Sequence, residues 1–234
     1  MIERLKKFGK SLLICFLYIV VIPGMSYAFL LTKDFDNFSS LKQNMVLILT
    51  ELIIFVMVTF IFRKTLINDF KDFKVNFKKY FKIILKYFVI GLGIMIVSNF
   101  LINYVFFKGS IALNEEANRA NLVAYPIYSI VTLILLGPVS EELVFRANFK
   151  NSIKNKTLFL IFTSLLFGSM HLLAYFDTMA DIASSWQQLL YIIPYGALGV
   201  VFGLTYLKTN NIYSAIMIHM LQNIISVGVI LLVL

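Results

Sequence analysis

Apolar residues in this chain gather into seven runs, at roughly 11–31, 44–62, 83–107, 122–145, 157–177, 187–207 and 211–233. Each is close to the length of about 20 residues that a helix needs to cross a bilayer. In hydrocarbon every backbone N–H and C=O must be satisfied within its own segment, so such runs are restricted to helices. Of the 234 residues, 60% are hydrophobic and only 14% charged, whereas a soluble domain is usually about half apolar and about a quarter charged. The pattern predicts an all-α, polytopic membrane bundle of about seven to eight transmembrane helices, with no sizeable soluble domain.

The basic residues orient that bundle. Seventeen of the 21 lysines and arginines fall at the N-terminus, after the second run, after the fourth, or after the sixth. The opposite side holds only Lys33, Lys42, Lys108 and Arg119. The positive-inside rule assigns the basic side to the cytoplasm, which puts the N-terminus inside and, for an odd number of spans, the C-terminus outside. An integral protein of a cell membrane is expected, and a composition rich in Lys, Asn, Ile and Phe points to a bacterial one. The net charge of +9 is accounted for by these short segments, and no Gly-rich phosphate loop or dinucleotide fingerprint is present, so no nucleic-acid partner is expected. The single cysteine, Cys15, excludes an internal disulfide and a CxxC metal site. Ser26-Tyr27-Ala28 mimics a signal-peptide cleavage site, but the apolar run continues beyond it, so the segment is expected to be retained, with a kink at Pro23.

Between Arg63 and Lys86, Phe70, Phe73, Phe77 and Phe81 recur at helical steps among lysines. This predicts a cytoplasmic amphipathic helix lying on the lipid surface, with membrane lipid as its partner; a solvated basic loop is the plainer alternative.

Ionisable groups inside such runs are costly and usually functional. Glu141 and Glu142 end the fourth run, and Arg146 follows Glu142 at i+4, on the same helical face. Glu141 lies about 100° away, so one carboxylate is neutralised and its neighbour is left as a candidate general base. The only two histidines, His171 and His219, each lie in an apolar run. Phe167 stands one turn before His171, and Asn223 one turn after His219. His219 and Asn223 could form two donors of an oxyanion hole, or simply hydrogen-bond between helices. A core histidine bonded to a backbone carbonyl is the equivalent plain reading of His171. Ser169 faces away from His171, so direct attack by water is favoured over a serine nucleophile. At about 1.5 Å per residue, Glu141 lies near the cytoplasmic end of its run and His171 beyond the middle of the next. They meet only if the fifth span begins later, with residues 150–162 cytoplasmic, or if tilt corrects the depth.

The order EExxxR, FxxxH, HxxxN, each on its own apolar segment, resembles the CPBP family, the CAAX-protease and bacteriocin-processing membrane proteins also called Abi proteins. The resemblance spans residues 120–230, a catalytic membrane core, while residues 1–110 look like variable N-terminal spans within one integrated domain. It implies a glutamate-type intramembrane endopeptidase. Glu141 and His171 would activate water, His219 and Asn223 would hold the oxyanion, and Glu142 and Arg146 would support them. No cofactor is implied. A zinc protease using Glu141, His171 and His219 is one alternative. An immunity or signalling scaffold on the same fold is another, and a transporter relaying protons through Glu51 a third. The expected substrate is a hydrophobic or amphipathic peptide or protein presented from the cytoplasmic leaflet. Prenylated substrates are not expected in a bacterium.

Overall fold

The computed structural model describes residues 2–21, 24, 35–107, 112–173 and 186–233. The regular elements among them are all helical. Helix α1 spans Ile2–Phe16 and continues through a wider π turn, Leu17–Val21. The others are α2 (Ser40–Ile61), α3 (Arg63–Leu101), α4 (Leu113–Ala124), α5 (Pro126–Lys150), α6 (Lys156–Leu173), α7 (Ile192–Thr209) and α8 (Ile212–Val233). A 3-10 turn, Trp186–Tyr191, leads into α7. Helices α2, α3, α5, α7 with its lead-in, and α8 are long and apolar enough to cross a membrane, and α6 is a shorter apolar helix. The protein is an all-α polytopic membrane bundle. Pro23 and the Ser26–Ala28 site lie outside the described residues.

Local chemistry sets the helix ends. The Ser39 hydroxyl accepts the Lys42 N–H at the start of α2, and the Asn155 side chain accepts the Leu158 N–H at the start of α6. Pro126 opens α5, where its missing N–H costs nothing. Asn210 ends α7 in the left-handed region, φ 55°, a conformation asparagine tolerates better than most residues.

The outer faces of α2, α3 and α8 expose leucine, isoleucine, valine and phenylalanine, as lipid-facing surfaces do. Inside, Phe145, Phe149, Phe159, Phe167, Phe202 and Ile84 are essentially fully buried. Helices α6 and α7 approach closely through small residues, the usual device where both helices face lipid or protein. A Cβ on Gly199 would stand 3.0 Å from Ser164 Cα, and one on Gly168 would stand 3.1 Å from the Gly196 nitrogen.

One expectation is corrected here. The Phe/Lys stretch is not a separate helix lying on the lipid. It is the first half of α3, an uninterrupted helix of 39 residues, about 58 Å at 1.5 Å per residue and so well beyond the roughly 30 Å hydrocarbon core. Phe73 is buried and packs its ring on Tyr213 at the start of α8, while Phe70, Phe77 and Phe81 remain exposed. Apolar burial against α8 carries the helix straight on. The segment is also tied polar-side: the Asn211 amide donates to Asp69 O and Asp72 Oδ2, the Ile212 N–H donates to Asp69 Oδ2, and the Tyr80 hydroxyl donates to Asp72 Oδ2, all at 2.7–2.8 Å.

The depth that the sequence left open is answered by packing. Helices α5 and α6 form a hairpin in which Phe149 meets Phe162, Phe145 meets Phe167 and Glu141 meets His171. Lys150 therefore lies level with about residue 161, and the first turns of α6 project past the end of α5. That overhang lets His171, fifteen residues into α6, reach Glu141.

Candidate active site

Two π turns, Thr132–Leu136 and Leu143–Ala147, interrupt α5 on either side of Gly137–Glu142. A π turn re-aims side chains and leaves a backbone group without its usual partner, and such turns are frequent at functional sites. The first is answered by α8, whose Asn223 amide donates to Leu133 O at 2.7 Å.

Around the second, the side chains form a closed chain of charge. Glu142 and Arg146 are both fully buried, with Nε 3.2 Å from Oε2. That approach is off the N–H direction and makes an ion pair without a hydrogen bond; the guanidinium's aligned bond runs from Nη2 to Gly199 O at 3.1 Å. Its Cζ atom lies 4.8 Å from the centre of the Phe167 ring, within cation–π range. The other oxygen of Glu142 stands 3.0 Å from His219 Nδ1. A paired carboxylate only accepts, so His219 carries its proton on Nδ1, and its Nε2 points elsewhere.

It points to Glu141. The Oε2 atom of Glu141 is 3.9 Å from His219 Nε2 and 4.0 Å from His171 Nε2, and it has no direct hydrogen-bond partner. His171 Nδ1 stands 2.9 Å from Phe167 O, which fixes its tautomer in the same sense, with Nε2 facing the carboxylate. Aromatic rings hold both imidazoles: His171 stacks on Tyr195 at 5.0 Å and His219 on Phe202 at 4.5 Å. Glu141 and His171 are about one-sixth exposed, whereas Glu142, Arg146 and His219 are sealed. Seven residues separate His219 from the start of α8 and nine separate Glu141 from the end of α5, so the site lies roughly 10–14 Å in from those helix ends.

The structure thus brings Glu141, Glu142, Arg146, His171 and His219 together. Asn223 stands one turn further along α8, bonded to α5 backbone, the interhelical hydrogen bond that the sequence left open. Glu51 lies half-buried on the face of α2 that carries Asn44, Ile54 and Val58, within electrostatic reach of Glu141. Tyr195, Phe202 and Gly199 belong to the site through packing between helices and carry no motif of their own. Among the described residues, no group of three His, Cys, Asp or Glu side chains is gathered tightly enough to hold a metal.

Residues 123–225, which include every one of these motif residues, match the family model described as type II CAAX prenyl endopeptidase Rce1-like. The chain is 29% identical over 123 residues to a candidate membrane peptidase of Bacillus subtilis, covering 51% of this chain and 44% of that protein. It is 25% identical over 173 residues to an uncharacterized protein of Mycoplasma capricolum, covering 69% of this chain and 47% of that protein. The matches thus span less than half the length of either relative. No solved structure matches the chain significantly.

Proposed function

From the match of residues 123–225 to this family model, we propose that the chain is an intramembrane endopeptidase of the CPBP type that hydrolyses peptide bonds with a water activated by Glu141 and His171. The observation that carries the reading is the position of Glu141 Oε2, 4.0 Å and 3.9 Å from the two imidazole Nε2 atoms. These separations are too long for direct hydrogen bonds. Two atoms that each bond one water at about 2.8 Å, at near a right angle, stand about 4 Å apart. Zinc ligands at about 2.0–2.1 Å in tetrahedral geometry would stand only about 3.3 Å apart. The spacing therefore favours water, and no cofactor enters the mechanism.

The water oxygen attacks the substrate carbonyl carbon as its proton passes to Glu141. His171 Nε2 orients the water. The carbonyl oxygen becomes an oxyanion, which His219 and Asn223 stabilise. The Asn223 amide has two N–H groups; one is bonded to Leu133 O and the second is offered to the oxyanion. His219 donates to the oxyanion from Nε2 only as an imidazolium, with its Nδ1 proton kept on Glu142. The C–N bond then breaks as Glu141 returns its proton to the leaving amine. Aligned proton transfer is worth about 10²–10⁴-fold and an oxyanion donor about 10²–10³-fold. The substrate is a hydrophobic or amphipathic peptide or membrane protein reaching the site from the cytoplasmic leaflet of a bacterial membrane, with the N-terminus of this chain on that side.

The test compares membrane and secreted peptides of cells carrying the wild-type protein or Glu141→Gln at matched expression. Loss of specific cleavages in the variant supports the mechanism. Identical peptide sets, with a phenotype that only removal of the whole protein produces, overturn it in favour of a non-proteolytic immunity or scaffold role.

A further inference from the structure

Where the α5–α6 turn meets the end of α7, a cleft of about 440 Å³ opens at the basic side of the bundle. Lys150, Lys154 and Lys156 line it, with the amides Asn151 and Asn210 between them. Ile153, Phe159 and Leu207 supply an apolar floor. Among the described residues no carboxylate is part of the lining, which carries three lysines. Asp69, on α3, is the acid within reach of Lys150, and its Oδ2 is already taken by the Ile212 N–H.

The cleft is built rather than merely surrounded by surface lysines. The Lys150 ammonium is half-buried and lies 4.5 Å from the Tyr206 ring centre. The turn beneath it is pinned to α1 by reciprocal bonds of 2.9 Å between Ser11 and Asn148, and Ile153 N–H donates to Phe149 O. Asn210 is held in its left-handed conformation at the opposite wall. The N-terminal turn of the 18-residue α6 adds its positive pole to the same rim. An apolar floor under a cationic rim, level with the ends of three helices, suits an anionic headgroup with the start of its acyl chains better than it suits a free ion.

We propose that this cleft binds the phosphate-bearing headgroup of an anionic phospholipid from the cytoplasmic leaflet. The site is independent of the hydrolytic mechanism. It is tested by the thermal midpoint of the purified full chain in neutral detergent, titrated with short-chain phosphatidylglycerol, with phosphatidylcholine of the same chain length, or with inorganic phosphate. Saturable stabilisation by phosphatidylglycerol alone is expected. Each lysine beside an anionic lipid contributes about fivefold in affinity, so Lys154→Gln with Lys156→Gln should weaken binding about 25-fold. Lys71→Gln with Lys78→Gln, which removes the same charge from exposed positions on α3, should leave it within about twofold. Equal loss in both double variants, or equal stabilisation by phosphatidylcholine, overturns the site. Stabilisation by inorganic phosphate matching that of phosphatidylglycerol overturns the lipid as its source. Should the first double variant fold poorly, Asn151→Asp places a carboxylate in the lining and should weaken binding in the same way.

Discussion

Glu142 Oε1 accepts the Nδ1 proton of His219 across the α5–α8 interface at 3.0 Å. One oxygen of a fully buried carboxylate thereby orients an imidazole, while the other faces the buried Arg146 guanidinium. Arg146 stands against one oxygen of Glu142, and the other oxygen fixes which nitrogen of His219 looks at Glu141.

Glu142→Gln should therefore do two separable things. Left unpaired, the Arg146 charge should destabilise the fold by about 3–5 kcal/mol. The amide can turn its NH₂ to His219 and reverse the tautomer, with a loss of hydrolysis of up to about 10⁴-fold, as when an orienting carboxylate beside a catalytic histidine is made an amide. Adding Arg146→Met should restore much of the stability and none of the activity. Denaturation and cleavage assays on the single and double variants read the two effects; recovery of activity in the double variant would refute the orienting role.

Asn223→Ala should lower stability by about 1–3 kcal/mol, because Leu133 O loses its donor within the membrane. If Asn223 also serves the oxyanion, turnover at saturating substrate should fall about 10²–10³-fold. A variant that is less stable yet equally fast would leave Asn223 as a helix tie alone.

Tyr195→Leu removes the ring stacked on His171 while keeping apolar volume. Turnover should drop roughly tenfold through misorientation of the imidazole, since small displacements at a reacting group are costly. The thermal midpoint should move by only a few degrees. A collapse of the fold would make the stack a packing element instead.

Gly199→Ala sets a methyl 3.0 Å from Ser164 Cα. Overpacking of this kind costs about 1–3 kcal/mol. It also pushes α7 away from α6 and lengthens the Arg146–Gly199 bond, so stability and hydrolysis should fall together. Gly93→Ala, where nothing lies within 4 Å, is the matched control and should leave both unchanged.

Relations within one helix were legible in the sequence. Glu142 and Arg146 share a face because they are four residues apart, and the runs at 44–62, 122–145, 187–207 and 211–233 became helices near their expected bounds. Relations between helices were not. That Glu142 reaches His219, that Tyr195 covers His171, and that Asn223 is engaged with Leu133 depend on register and on π turns, which leave no periodic trace. The continuity of α3 was missed for a related reason: Phe70, Phe73, Phe77 and Phe81 repeat as a surface helix would, and only the contacts of Phe70 and Phe73 with Tyr213 decide which surface they meet.

That continuity has a mechanical consequence. From Arg63 to Leu101 there is no joint, and Asp69 and Asp72 grip the very residues from which α8 departs. The lysine-studded half of the rod is thereby tied directly to the root of the helix bearing His219. A load applied at that lysine-studded tip would meet one continuous helix and then only seven residues of α8 before His219.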